Sequence, residues 1–392
     1  MRPAPVYLDH AATSPLRPEA RAAAIEALDL CGNASSVHAA GRAARDRIET
    51  ARGTLAAFVN GGAERLVFTS GGVEADNLAI SSAVAAGSRR LLIGATEHPG
   101  VCVAAQASGA VVESLPVDRR GVVDLDQLAE RLARWDAAYG RPFVALMLAN
   151  NETGVIHPIS HAAALVRDAG GWLHVDAVAA AGKLTLDMET LGADTLAVSG
   201  PKIGAPQGVG CLAWSDCVTP LRQMHGDGHE RGFRSGTENL SGIAAFAAAA
   251  EAAEAAARDL PHLAEQSAWR DAAAERIKAQ GAVIGGEGAP RTGATLSLAA
   301  ADWPSTTQVM ALDLEGVMVS GGSACSSGKT KPSGVLEAMG FGALAMGSLR
   351  ASGGWSTTQA DWDRFADVWC AAHERRTRRH APAVSNLIKE HA

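Results

Sequence analysis

Between residues 65 and 214 short apolar runs alternate, in most places, with stretches of helical spacing, without any internal sequence repeat. The apolar runs fall at 65–69, 91–94, 111–115, 143–148, 172–175, 195–199 and 208–214. Strands separated by helices are joined by right-handed crossovers and give a mainly parallel sheet. In such sheets the functional residues sit in loops at the carboxyl ends of the strands. Ahead of these runs, 19–30 and 40–57 read as amphipathic, alanine-rich helices.

Beyond residue 214 the pattern changes. Residues 244–257 (AAFAAAAEAAEAAA) have very high helix propensity and predict the start of a long helix leaving the first unit. The glycine-rich segment 281–291 marks the shift to a smaller α/β unit. Thr358 and Asp361 have capping-box spacing ahead of a helix whose end carries Arg375, Arg376, Arg378 and Arg379, a run expected on a solvated face or fraying tail. With 392 residues, 47% of them hydrophobic, the chain can bury a large core and form more than one domain. A net charge of −7 provides no field that would draw in nucleic acid or an anionic membrane. No run of about 18 apolar residues suggests a membrane span, and the start lacks a leader pattern. Six cysteines without C-x-x-C spacing point to a reducing compartment, the cytoplasm, and away from disulfides or structural zinc.

Four segments carry residues suited to chemistry. In LVFTSGGVEADN (66–77) a strand, a Ser-Gly-Gly turn and a helix start make a plausible phosphate cradle, or simply a tight turn. In WLHVDAVAAAGK (172–183), Asp176 follows an apolar strand directly; it reads either as a helix cap or as a carboxylate facing a protonated ring nitrogen. In TLAVSGPKIGAPQGVG (195–210) a single lysine, Lys202, stands among small residues. It either caps a loop or is a desolvated amine able to form a Schiff base. In SGGSACSSGKTKPSG (320–334) Cys325 lies in a Gly/Ser-rich loop near Lys329 and Lys331, a setting for a reactive thiolate; Cys211, in an apolar run, reads as structural.

Together these segments resemble the cysteine desulfurases of fold-type I, within the class-V aminotransferases. The resemblance runs nearly end to end through YLDHAAT (7–13), GNASSVHAAGRAAR (32–45), FTSGGVEADN (68–77), TEHPGV (96–101), NNETGVIHPI (150–159) and HVDAV (174–178). It continues in ERGFRSGTEN (230–239), GSACSSG (322–328), PSGVLEAMG (332–340) and SLRASGG (348–354). It implies an α/β, fold-type I transferase dependent on pyridoxal 5'-phosphate, with a seven-stranded, mainly parallel sheet flanked by helices and a smaller α/β domain. Residues 14–257 would form the large cofactor-binding domain; 1–13 and 258–392 would form the small one, carrying the cysteine loop. It further implies that Lys202 forms the Schiff base, Asp176 pairs with the ring nitrogen, and His98 stacks on the ring and serves proton transfer. Gly72, Val73, Asn151, Ser199 and Thr237 would complete the cofactor site, with Thr237 arriving from the other subunit of a homodimer. Asn151 would also support the substrate, and Arg350 would clamp its carboxylate with a planar fork. Cys325 would take sulfur from L-cysteine, leaving L-alanine and a persulfide. The persulfide would pass to a protein acceptor, as in iron–sulfur cluster assembly or tRNA thiolation.

Three positions depart from the family pattern: Val73 replaces a threonine, Ala179 a glutamine and Pro201 a histidine. The loop 225–229 reads HGDGH where a Gly/Gln-rich run is usual. His225, Asp227 and His229 are not expected to hold a metal, and His157 and His161 are expected at the surface. The departures leave two other readings open, a related lyase acting on selenocysteine or cystine, and a degenerate homologue serving as a partner protein.

Overall fold

The computed structural model describes residues 4–322 and 331–380. The large sheet contains β1 (Leu66–Thr69), β2 (Arg90–Gly94), β3 (Val111–Leu115), β4 (Phe143–Met147), β5 (Trp172–Asp176), β6 (Thr195–Ser199) and β7 (Gly210–Trp214). All seven coincide with the apolar runs of the sequence. Their spatial order is β1-β7-β6-β5-β4-β2-β3. β2 to β6 pair in parallel, while β7 runs against both β6 and β1. Every residue of β4, β5 and β6 is buried, which is why these strands read as unbroken apolar runs and show no alternation.

Helices cover both faces. On one lie α1 (Pro18–Leu28) and α2 (Ala39–Phe58), with Ile48 and Leu55 of α2 packing against Leu66, Val144 and Leu196. On the other, α3 (Gly72–Ala85) and α4 (Pro99–Ala107) pack Leu78, Ile80 and Val101 against Val67, Leu91 and Phe143. The alanine-rich segment forms α5 (Leu240–Arg258), which packs on α1 and α2 and buries Ile243, Phe246 and Ala250. By length and composition α5 could cross a membrane, but its packing is that of a core helix. The expected long helix is followed directly by a second one. α5 stops at Arg258, and Asp259 caps α6 (Leu260–Lys278) by accepting from the His262 N–H, with Pro261 in the first turn.

A second, antiparallel sheet follows: β8 (Val283–Gly285), β9 (Thr295–Ala299), β10 (Ser320–Gly321) and β11 (Ser348–Ser352), in the order β10-β11-β9-β8. Its core joins Leu296, Leu298 and Leu349 to Ile277 of α6 and to Phe365 and Trp369 of α7 (Gln359–His380). Val6 and Leu8, from the start of the chain, belong to this same core. At the head of α7, Asp361 Oδ2 accepts from the Thr358 N–H and hydroxyl, both at 2.8 Å. Arg375 on its exposed face pairs with Glu315 at 3.2 Å. His161 is exposed, but His157 is not at the surface: it is buried, with Nδ1 accepting from the Val123 N–H. The segment at Val123 packs against its ring, a tertiary contact that the polar local sequence hides.

Candidate active site

Asp176 ends β5 at the carboxyl edge of the sheet, buried, with Oδ1 accepting from the Val178 N–H at 2.8 Å. Two more carboxyls lie behind it. Asp76 of α3 meets His174 Nε2 at 3.1 Å, and His174 Nδ1 meets Thr195 Oγ1 at 3.0 Å. Burial pushes Asp76 up to about 8 and His174 down to about 4, so this contact joins neutral groups. Glu97 Oε1 accepts from the Met147 N–H at 2.6 Å, while Oε2 is buried without a partner. Burial, then the charge of Asp176, raises Glu97 well above the carboxylate range. Asp176 itself is raised to about 7, by burial and then by Asp76, against the pull of the Val178 N–H, His98 and His174. Three carboxyls share too little positive charge for all to ionise. A cationic group arriving at Asp176 would supply the missing counterion.

His98 caps α4, its Nδ1 accepting from the Gly100 N–H at 3.0 Å. The neutral ring therefore carries its proton on Nε2. Burial lowers its pKa, Asp176 opposes this, and Lys202 adds to it, so the imidazole senses both groups.

Lys202 closes a short 3-10 turn directly after β6, and its Nζ donates to the Ala12 carbonyl at 2.5 Å. Ser14 straps the N-terminal segment onto this turn through its N–H to Pro201 O (2.7 Å) and its hydroxyl to Lys202 O (3.2 Å). Burial, then Arg350, lowers the Lys202 pKa. Arg350 lies on β11, 4% exposed, with Nη2 on Asp9 Oδ1 at 2.9 Å and Nη1 donating to Asn151 O at 3.2 Å. Its Nε is buried and unpartnered. Asn151 sits in a turn knotted by Asn150, whose Oδ1 accepts from the N–H groups of Glu152 and Thr153 and from the Thr153 hydroxyl. A third cation, Lys183, donates to Ala179 O at 2.8 Å and is lowered to about 8 by burial, Lys202 and Arg350. Around these three cations Asp9 is, among the described residues, the one carboxylate paired with Arg350, a balance suited to an incoming anion.

The turn from β1 into α3 forms the other end of the site. A Cβ added at Gly72 would lie 2.6 Å from Val178 Cγ2, and one at Gly210 would lie 2.7 Å from Gly71 Cα. The glycines therefore let the head of α3 rest against β7 and the turn after Asp176. The first-turn N–H groups of α3 have no intrahelical acceptors and favour an anion. Ser199, the last residue of β6, is buried beside this turn, and the Val73 side chain is half exposed. The donor set thus fits a group with an anionic end at α3, a protonatable ring atom at Asp176 and a carbon that an amine can attack.

The structure brings Gly72, Val73, Ser199, Asp176, His98, Lys202, Asn151 and Arg350 to one edge of the large sheet. Thr237 is exposed, and among the described residues no hydrogen bond joins it to Gly72 or Ser199. Cys325 lies outside the described residues. His229 is buried and bonds to Asp227 and to Ser35 Oγ (3.0 Å), so it fastens two loops together. Sequence reasoning missed Asp9, Asp76, Glu97, Glu152, His174 and Lys183. Their polar types inside or beside apolar runs were the available signal, strongest for Lys183 between Gly182 and Leu184.

The sequence matches the family described as aminotransferase class-V over residues 6–365. An IscS-like cysteine desulfurase from Mycobacterium tuberculosis is 36% identical, covering 98% of this chain and 100% of its own. A cysteine desulfurase from Trichormus azollae is 35% identical over 94% of this chain and 93% of its own. Among solved structures, a NifS-like protein from Rickettsia africae superposes with a TM-score of 0.86 at 26% identity, covering 94% of this chain and 99% of its own.

Proposed function

The chain belongs to the class-V aminotransferase family, and from that premise we propose that it is a cysteine desulfurase dependent on pyridoxal 5'-phosphate. It takes sulfur from L-cysteine, releases L-alanine and keeps the sulfur as a persulfide on Cys325. What carries the reading is one juxtaposition: a desolvated lysine, a buried carboxylate short of a counterion and an anion-ready helix start share one sheet edge. Near-complete alignment with cysteine desulfurases supports the same conclusion.

Lys202 would hold the cofactor through Nζ, Asp176 would face its ring nitrogen, and Gly72, Val73 and Ser199 would surround its phosphate. Asn151 would support its ring oxygen. When bound, the cofactor supplies an electron sink that renders the substrate sulfur open to attack. The chain's own residues do the rest. Asp176 stays anionic opposite a cation because Asp76 and Glu97 hold their protons. His98 passes a proton at Nε2, since Nδ1 is occupied by the Gly100 N–H. Arg350 binds the substrate carboxylate, exchanging its bond to Asp9. The Cys325 thiolate bonds to the sulfur as the carbon–sulfur bond breaks, and the carbon gains a proton, so cysteine plus thiol becomes alanine plus persulfide. Exposed Thr237 would reach the phosphate of a second copy, which makes the enzyme a homodimer. A protein acceptor would then remove the sulfur.

The test is alanine release from L-cysteine by cofactor-loaded protein with a thiol reductant. We expect turnover with L-cysteine that stops when the cofactor is removed and resumes on its return. Turnover on cystine but not on cysteine would replace this reading with a lyase.

A further inference from the structure

Glu152 has no part in the chemistry above, yet it is buried where three parts of the chain meet. Its Oε2 accepts from the Ser333 hydroxyl at 2.5 Å. Ser333 is itself fully buried and caps the helix Gly334–Ala338 through the Leu336 N–H at 3.1 Å. Gly322 presses against the same oxygen. A Cβ there would lie 2.9 Å from Glu152 Oε2 and 2.3 Å from Ser348 Oγ, so only glycine fits without displacement. Gly322 and Ser333 flank residues 323–330, the segment that includes Cys325. The Glu152 main chain is held as firmly as its side chain, through its N–H to Asn150 Oδ1 at 3.0 Å. The preceding residue, Asn151, gives its carbonyl to Arg350.

We infer that Glu152 is a positioning residue for sulfur transfer: its carboxylate fixes the two chain ends that flank the Cys325 segment, on the same turn that steadies Arg350. This rests on the desulfurase reading and adds a residue to it. A carboxylate suits the task because a single oxygen, Oε2, both accepts from the Ser333 hydroxyl and lies against Gly322. A longer or branched neighbour at 322 could not approach. Glutamine preserves the acceptor and the shape; alanine removes both.

The experiment compares cofactor-loaded wild type, Glu152→Ala and Glu152→Gln. It reads cofactor content by absorbance, kcat and KM for reductant-driven alanine release, and the alkylation rate of Cys325 by peptide mass spectrometry. For Glu152→Ala we expect full cofactor content, a KM within about twofold of wild type, a kcat lower by about tenfold, and a Cys325 alkylation rate altered several-fold. Glu152→Gln should recover most of the kcat and the wild-type alkylation rate. Unchanged kcat and alkylation in Glu152→Ala would overturn the inference, as would a Glu152→Gln variant no better than Glu152→Ala. If wild type released no alanine while Cys325 alkylation still followed residue 152, the functional reading would fail and the positioning role would stand.

Discussion

Pro201 has no backbone N–H, and the half-exposed side chain of Val73 has no hydroxyl, although both flank the proposed phosphate end. A hydrogen bond to a charged group contributes roughly 1.5–3 kcal/mol. Two missing donors therefore cost about 3 kcal/mol at the lower end, or about two decades of affinity. Ser199 and the N–H groups of α3 remain available, and at Ala179 the ammonium of Lys183 stands 2.8 Å from the carbonyl. We predict that Val73→Thr and Pro201→His each tighten the cofactor by about tenfold, measured by equilibrium titration of its absorbance. If neither substitution changes the affinity, other donors already satisfy the phosphate. Lys202 and Asp176 could be singled out from the residues because each is a charged group at or just after an apolar strand, whereas Arg350 came only through the family resemblance. Asp76, Glu97 and His174 carried only the weak signal of polar types beside apolar runs, because their importance arises from meeting one another across α3, β5 and the loop after β2. Glu152 was equally hidden, its partners being 170 and more positions away.

At the scale of elements, one buried ion pair fastens α2 to the strand that feeds the phosphate end. Arg52 Nη1 lies 2.7 Å from Glu230 Oε2, and their side chains are 3% and 2% exposed. Glu230 Oε2 also accepts from the Phe68 N–H of β1, and the guanidinium stacks over the Phe68 ring at 4.9 Å. Glu230 and Arg231 have positive φ angles of 46° and 55°, so this pair also restrains a strained loop leading to Thr237. Removing one partner leaves the other charge buried, at a cost of about 3–5 kcal/mol. We predict that Arg52→Met markedly lowers the thermal midpoint, and that Arg52→Met with Glu230→Gln regains part of the loss. A single variant as stable as wild type would mean that water reaches Glu230. The central strands were legible because runs buried on both faces stay apolar throughout, whereas the edge strand β3, half exposed and carrying Glu113 and Ser114, rested on Val111, Val112 and Leu115 alone. The break between α5 and α6 was obscured by the alanine run before it, although Asp259 and Pro261 mark it in retrospect. The pairing of residues 6–7 with 317–318 is a long-range register that no local pattern encodes.

Across the whole molecule, the buried carboxyls give the cofactor-free protein a characteristic pH dependence. Asp76, Asp176 and Glu152 bind protons more tightly folded than unfolded, with values of about 8, 7 and 7 set chiefly by burial. The folded state then holds more protons than the unfolded one, so stability falls as pH rises through these values. His10, His157 and His174, lowered by burial to about 4, are neutral when folded; unfolded they are about half protonated near pH 6.5, so their opposing effect is smaller than that of the carboxyls there and fades by roughly pH 7.5. Lys183, lowered to about 8, acts in the opposite sense only above that value. Between roughly pH 6.5 and 8 the thermal midpoint of the apoprotein should therefore fall, and less so with cofactor bound, because a cation at Asp176 stabilises its carboxylate. A midpoint that rises across this interval would contradict the protonated cluster. The most direct test of the whole is the fate of the substrate sulfur. Loaded protein is mixed with L-cysteine carrying isotopically marked sulfur, alkylated, digested and weighed peptide by peptide. One marked sulfur atom on the Cys325 peptide, matched by an equal amount of alanine, is the expected result; alanine formed with no sulfur on Cys325, or sulfur on another cysteine, would contradict it.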